Sequence, residues 1–416
     1  MKIVILTPEQ FDNFSVEHPL HSMYQTSHYG ELMKKCGYNI NYYGFIDDNN
    51  NLLGATLIID QILFASYKYA YAPRGFLIDY SNKELLKEAT NKLKKFLGSK
   101  KVVFLKIDPP VINNKRDQEG NIIPSPYSNE TISFLESIGY QYFGENKYFG
   151  TLKPRWNAIL KVTGTSDTMF ENLDKNIKNK IRKAQSRGIE VIQGNLNDIE
   201  LFYSFVAKKH YRNLKYYQDL ASCFGNKLEL YFAKLNTANY LKNIKIIYED
   251  EITENNKINI ELQEKPGDNK ITNKKINSDK LLNIYKNELI TATNLLEKNP
   301  NGIIIGVTAV IIGKYGVELL IEGQNPNFSL YYPTFLTKWH IIDKYSKLGA
   351  VFFDLNAITG TFEDTNKYKG LNEMKLGYNA DVTEYIGEFD LIINNTMYRM
   401  YSTTKLGKNK LKKNAK

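Results

Sequence analysis

The sequence predicts an α/β protein of two similar units, each a mixed sheet covered by helices, with an antiparallel two-helix arm inserted in the second. Three observations carry that reading. The chain has 416 residues, more than one ordinary core holds. Its first third echoes the segment after Asn301. Residues 236–300 turn rich in Lys, Glu and Asn and lose nearly all Gly.

In the first copy, 51–60 (NLLGATLIID) reads as a strand and 68–79 (KYAYAPRGFLID) as a second with a turn. Residues 84–97 follow as a helix with Leu85, Ala89, Leu93 and Phe96 on one face, and 101–108 (KVVFLKID) returns as a strand. The second copy repeats the order. Its strands are 302–312 (GIIIGVTAVII) and 316–322 (GVELLIE), its helical stripe is Phe335, Trp339 and Ile342, and 350–356 (AVFFDLN) closes it. Apolar runs bounded by turns and separated by an amphipathic helix imply mixed sheets rather than a sandwich.

The inserted segment breaks at Pro266, Gly267 and Asp268. Beyond the break Leu281, Tyr285, Leu289, Ala292 and Leu296 keep heptad-like spacing, so two antiparallel helices are expected. Such a rod suits reaching a large partner, and its lysines suit phosphates, although a solvated hairpin has the same pattern. Ahead of the arm, 175–188 (KNIKNKIRKAQSRG) places Lys178, Arg182 and Gln185 on one helix face and Ile177, Ile181 and Ala184 on the other, with Gly188 as the stop.

Hydrophobic residues make up 42% of the chain, including 30 Tyr and 21 Phe, enough for packed cores. Lys and Arg exceed Asp and Glu by 55 to 45, a balance that favours RNA, pyrophosphates or anionic lipid, or that reflects solvated surface charge alone. Two cysteines, Cys36 and Cys223, leave no disulfide framework or thiolate zinc site and fit a reducing compartment. No apolar run is long enough to span a bilayer or serve as a secretory core, so a cytoplasmic protein is expected. The basic tail 405–416 (KLGKNKLKKNAK) reads as a solubilising end or as a contact to anionic lipid.

The motifs for zinc hydrolysis, phosphate-loop nucleotide binding, serine hydrolysis and paired-cysteine redox chemistry are absent. His18, His21 and His28 cluster without Cys or a set of closely spaced acids and read as loop or surface residues. The glycine loop that cradles the CoA pyrophosphate in N-acyltransferases is also missing, so an acyltransferase-like layout needs a different donor.

Several segments together resemble the Fem family of non-ribosomal peptidyltransferases (FemABX), which build the interpeptide bridges of peptidoglycan. They are 25–38 (QTSHYGELMKKCGY), 69–79 (YAYAPRGFLID), 104–109 (FLKIDP), 179–191 (NKIRKAQSRGIEV), 212–217 (RNLKYY), 368–379 (YKGLNEMKLGYN) and 384–389 (EYIGEF). The resemblance spans nearly all of the chain. It implies two tandem acetyltransferase-like (GNAT-like) domains: residues 1–150 with 383–416 returning to them, and 151–382, with the arm at 236–300. It also implies transfer of Gly, Ala or Ser from aminoacyl-tRNA to an amine on the stem or bridge peptide of lipid II or UDP-MurNAc-pentapeptide, with peripheral contact at the inner membrane face open to it.

An aminoacyl ester arrives activated, so such an enzyme needs no cofactor, metal or nucleophile of its own, only orientation, deprotonation and oxyanion stabilisation. Asp108 ends an apolar strand, precedes Pro109 and matches the family position facing the incoming amine; a turn Asp capping amides has the same look. Lys375 matches the lysine of the family's FK motif and is suited to a developing oxyanion or the tRNA terminus, with Met374 replacing the usual aromatic neighbour. Arg212 and Tyr216 match positions that grip the precursor's pyrophosphate. Tyr331, Tyr332 and Glu388 fall in similar pocket motifs. Met33 aligns with the family's phosphate-contacting lysine, leaving Lys34, one step or about 100° around the helix, as the substitute. A CoA-dependent N-acyltransferase with an unusual cofactor loop, and a non-catalytic RNA-binding or immunity-type module, are the alternative readings.

Overall fold

The computed structural model describes residues 1–124, 130–208 and 212–403. The basic tail 405–416 lies outside them. Two mixed sheets form the frame. The first runs Lys2–Ile5, Asn39–Ile46, Leu52–Phe64, Tyr67–Ala72, Val102–Ile107, Phe389–Ile392, Tyr140–Tyr142. The second runs Ile112–Lys115, Asp381–Tyr385, Trp156–Lys161, Phe352–Ala357, Gly316–Gln324, Ile303–Ile312, Leu228–Leu235, Ile189–Gln193.

Each sheet holds one parallel pair closed by a helical crossover. In the first, Tyr67–Ala72 pairs in parallel with Val102–Ile107 through the helix Lys83–Ser99. In the second, Gly316–Gln324 pairs in parallel with Phe352–Ala357 through Pro333–Lys347. Parallel strands need such a crossover, and an amphipathic helix returns its apolar face onto the sheet. That face on Lys83–Ser99 centres on Leu86, Ala89, Thr90, Leu93 and Leu97. It is rotated from the predicted stripe, so that Leu85 and Phe96 flank it as partly buried residues. Asn82 starts the helix by accepting from Leu85 N at 3.0 Å.

The units are laced together. Ile112–Lys115, within the first third of the chain, pairs with Asp381–Tyr385 in the second sheet. Phe389–Ile392 pairs with Val102–Ile107 and Tyr140–Tyr142 in the first. Arg116 and the fully buried Arg155 both meet Glu384, at 2.6 and 2.9 Å, where these strands cross. An apolar cluster spans the two units, with Phe11, Leu32 and Leu57 from one packed with Phe202, Leu220 and Val307 from the other.

The arm is the hairpin of Thr237–Glu264 and Asn269–Lys298. Its seam keeps the predicted spacing near the root, where Ala292 is buried and Tyr285 and Leu289 pack partly buried, and departs from it at Leu281, which is exposed. Farther out Ile271 and Ser278 are buried, and Ser278 accepts from the buried Asn255 at 2.9 Å. At the arm's root, Gly188 ends the helix Lys175–Ser186 with φ +72°. A Cβ there would lie 3.0 Å from Asn239 Cβ and 3.1 Å from Tyr240 N. Left-handed backbone and close approach both demand glycine. Gly188→Ala is expected to lower the unfolding free energy by about 1–2 kcal/mol, read by chemical denaturation.

Candidate active site

The ends of the first parallel strand pair build the centre of the site. Tyr71 lies at the end of one strand and Asp108 directly follows the other, so both side chains emerge at the same sheet edge. Tyr71 OH donates to Asp108 Oδ2 at 2.6 Å, and Arg74 N donates to Oδ1 at 2.6 Å. Asp108 is buried, and burial raises its pKa against the lowering effect of Arg74 and of the Tyr71 hydroxyl.

Arg74 then crosses to the second unit. Its Nη2 donates to Pro154 O at 2.7 Å, and its guanidinium stands 4.7 Å from the centre of the Tyr385 ring. One residue before that proline, the half-buried Lys153 places its ammonium 3.3 Å from the Tyr24 ring centre and 5.3 Å from that of Tyr29. Burial lowers the Lys153 pKa to about 7; Asp108 raises it, while Arg74 and Arg212 depress it. At neutral pH this amine therefore exchanges its proton readily, unlike a surface lysine.

Arg212 stacks on Tyr216 at 3.9 Å and acts electrostatically on Tyr29 and Lys153, which brings both predicted residues into this cluster. Asn213 caps the following helix, Leu214–Phe224, by accepting from Tyr216 N at 3.0 Å. Glu388 is buried beside the cluster. It faces Lys106 at 3.6 Å and accepts from Leu152 N, and burial raises its pKa, with Asp108 raising it further.

The remaining predicted residues are elsewhere. Lys375 is buried and donates to Ala357 O at 2.8 Å, at the end of the strand that corresponds to Asp108's in the second unit. Burial and the neighbouring Lys338 lower its pKa to about 8, with Glu322 and Asp354 opposing. Among the described residues no hydrogen bond or ion pair joins Lys375 to Asp108. A cavity of about 280 Å³ is lined by Arg74, whose amide bonds Asp108, and by Asp354, on which Lys375 acts electrostatically. Tyr331 and Tyr332 stand at the foot of the arm. Tyr331 OH is 3.1 Å from Tyr240 OH, and Tyr332, with φ +59°, opens the helix Pro333–Lys347 near Lys180. Lys34 is exposed, pairs with Glu31 at 3.7 Å and lines a separate cleft with Asp60 and Lys68.

The sequence reading did not single out Tyr71, Arg74, Lys153, Glu318 or Asp354. Tyr71 and Arg74 fall inside a matching segment (YAYAPRGFLID), but their roles follow only from the strand pairing. Lys153 has no sequence signal beyond the KPRW run at 153–156.

Comparison with known proteins agrees with this architecture. The FemAB family model matches residues 6–406. The aminoacyltransferase FemA of Staphylococcus aureus strain RF122 is 24% identical over 426 aligned positions, covering 99% of this chain and 100% of the relative; FemA of strain N315 matches equally. A crystal structure of FemX superposes with a TM-score of 0.74 at 19% identity, covering 96% of this chain and 99% of that one.

Removing the tyrosine donor tests the centre directly. Tyr71→Phe leaves a buried carboxylate short of one hydrogen bond, so a loss of about 1–3 kcal/mol in stability is expected. The Asp108 titration, followed by carboxyl infrared absorption, should move to higher pH, because the lost bond favoured the charged form.

Proposed function

This chain belongs to the FemAB family, and from that premise we propose that it is an aminoacyltransferase of peptidoglycan bridge formation, moving an amino acid from aminoacyl-tRNA to a precursor peptide amine. The observation that carries this reading is the end-to-end likeness to the FemA aminoacyltransferases, over 99% of this chain and 100% of theirs. The site's chemistry supports it, since acyl transfer from an ester requires a held amine and a proton acceptor rather than a protein nucleophile.

In the proposed reaction Lys153, neutral in part near pH 7, takes a proton from the attacking amine. The nitrogen bonds to the ester carbonyl carbon, the carbon–oxygen bond to the ribose breaks, and the departing ribose oxygen receives the proton. Asp108 has an oxygen engaged by Tyr71 and another by Arg74. It therefore acts as a positioning residue that tunes Lys153. Arg212 and Tyr216, at the cluster's margin, suit the precursor's phosphates. Lys375 acts on the cavity residue Asp354 electrostatically, and Tyr331, Tyr332 and Lys34 are left to the outlying parts of two large substrates. The acceptor is lipid II or UDP-MurNAc-pentapeptide, met in the cytoplasm or at the inner membrane face; among the described residues no helix is long and apolar enough to cross a membrane.

Incubating the purified chain with pooled aminoacyl-tRNAs and lipid II, followed by mass spectrometry of the lipid, should reveal a stem peptide one amino acid heavier. No product from glycyl-, alanyl- or seryl-tRNA overturns the reading. The rate should rise with pH through a limb near 7, where Lys153 loses its proton. Lys153→Met should remove that limb and lower the rate by about 10²–10⁴-fold. The neighbouring charges give opposite shifts. Asp108→Asn removes a group that raises the Lys153 pKa, so the limb moves to lower pH; Arg212→Gln removes one that depresses it, so the limb moves to higher pH.

A further inference from the structure

The cavity between the units contains a feature that the reaction above does not use. Glu318 and Asp354 sit side by side as register partners on the parallel strands Gly316–Gln324 and Phe352–Ala357. Both line the cavity, together with Asn157. Like charges directly opposite on a sheet repel, so the pairing is unfavourable unless something offsets it.

Their partners leave open acceptors. Met23 N donates to Glu318 Oε1 at 2.9 Å, and among the described residues no hydrogen bond engages Oε2. Asp354 accepts from Asn356 N at 2.7 Å and from Asn157 Nδ2 at 3.1 and 3.0 Å. Because Asn157 turns its amide nitrogen to that carboxylate, its own Oδ1 is the atom left over. Asn157 is only 4% exposed, and Oδ1 has no hydrogen-bond partner. A buried orphan acceptor costs free energy and points to a donor that completes it.

We propose that Glu318, Asp354 and Asn157 form a binding site for a primary ammonium group carried by a substrate. The three acceptors match an –NH₃⁺ group, which has three donors and no acceptor. At the rim Lys161 and Asp381 cancel in an ion pair of 2.7 Å. The Arg74 guanidinium, which also lines the cavity, donates to the Pro154 carbonyl at 2.7 Å, and its charge favours the ionised form of both acids. Lys153 opposes the cation only in its protonated form. Burial and the adjacent Asp354 raise the Glu318 pKa to about 7, so an arriving ammonium would draw the carboxyl into its charged state. At about 280 Å³ the space lies just under the roughly 300 Å³ at which drug-sized pockets begin, a size suited to an aminoalkyl chain or one amino acid.

This inference rests on the proposed transfer, which offers two sources of the same group: the acceptor peptide's amine and the α-ammonium of the amino acid on the donor. Holding the first places the nucleophile. Holding the second keeps the donor's own amine charged and out of the reaction.

Calorimetric binding to the full chain separates them. One probe pair is a lysine-bearing stem pentapeptide and its norleucine counterpart. The other is a stable aminoacyl-RNA mimic with a free or an acetylated α-amine. Wild-type protein should prefer the amine-bearing member of one pair by roughly tenfold or more, as for a charged hydrogen bond, and that pair identifies the source. Glu318→Gln keeps the acceptor for Met23 N but removes the charge, and should cut the preference to about twofold or less. No preference in either pair, or an undiminished preference in Glu318→Gln, overturns the site. The wild-type comparison needs no variant and so stands even if the substitution impairs folding. Transfer measured in the same samples keeps the two ideas apart. Product formed without amine preference overturns the ammonium site alone, whereas amine preference without product overturns the transferase reading alone.

Discussion

The buried guanidinium of Arg74 is the interaction on which the arrangement of the site depends. Its backbone lies in the left-handed region at φ +53°, a conformation a bulky residue adopts only where its surroundings over-determine it. Here they do. The amide is held by Asp108, Nη2 by the Pro154 carbonyl, and the guanidinium plane faces Tyr385. Two of these partners belong to segments of the second unit, so one side chain fixes the edge of the first sheet against the second. Burying a charge is costly unless it is hydrogen-bonded; the guanidinium meets the Pro154 and Asp108 backbone carbonyls at 2.7 and 3.5 Å, while the Arg74 amide confines the Asp108 carboxylate. The same constraint sets the chemistry nearby, because Arg74 and Arg212 add to the burial that keeps the Lys153 amine close to neutrality.

Much of the fold was legible in the sequence. Two strand–helix–strand crossovers, the basic helix with Ile177, Ile181 and Ala184 inward, and the hairpin arm all announce themselves through periodicity and composition. What periodicity cannot give is partnership between distant strands. Nothing in 112–115 marks it for the second sheet, and nothing in KPRW marks Lys153 for an aromatic cage. The arm shows a subtler limit. Heptad spacing nominated Leu281, but the seam carries the polar pair Asn255 and Ser278, and Leu281 faces out.

The site was legible in part for the same reason. Asp108, Arg212, Tyr216 and Glu388 were nominated through matching segments; Asp108 and Glu388 flank the paired strands Val102–Ile107 and Phe389–Ile392, and Arg212 and Tyr216 act on the same cluster from the start of the helix Leu214–Phe224. Lys375 and Asp108 mark equivalent strand ends in the two units, so the internal echo that revealed the fold also separates them. Motifs preserve chain order; they do not say which end of which sheet a residue faces. Glu318 and Asp354 escaped notice because each is an ordinary acid within an apolar strand, and only the parallel register makes them neighbours.

The strand Phe389–Ile392 lies inside the first sheet, between Val102–Ile107 and Tyr140–Tyr142. A chain emerging from the ribosome therefore makes nearly all of that sheet early and then waits, with a gap one strand from its edge, until residues 389–392 appear. Loop closure over so long a separation is slow relative to local pairing. The amino-terminal half cannot mature as an autonomous module, and a nascent chain stalled before its end would expose two unsatisfied strand edges to any passing β-rich segment.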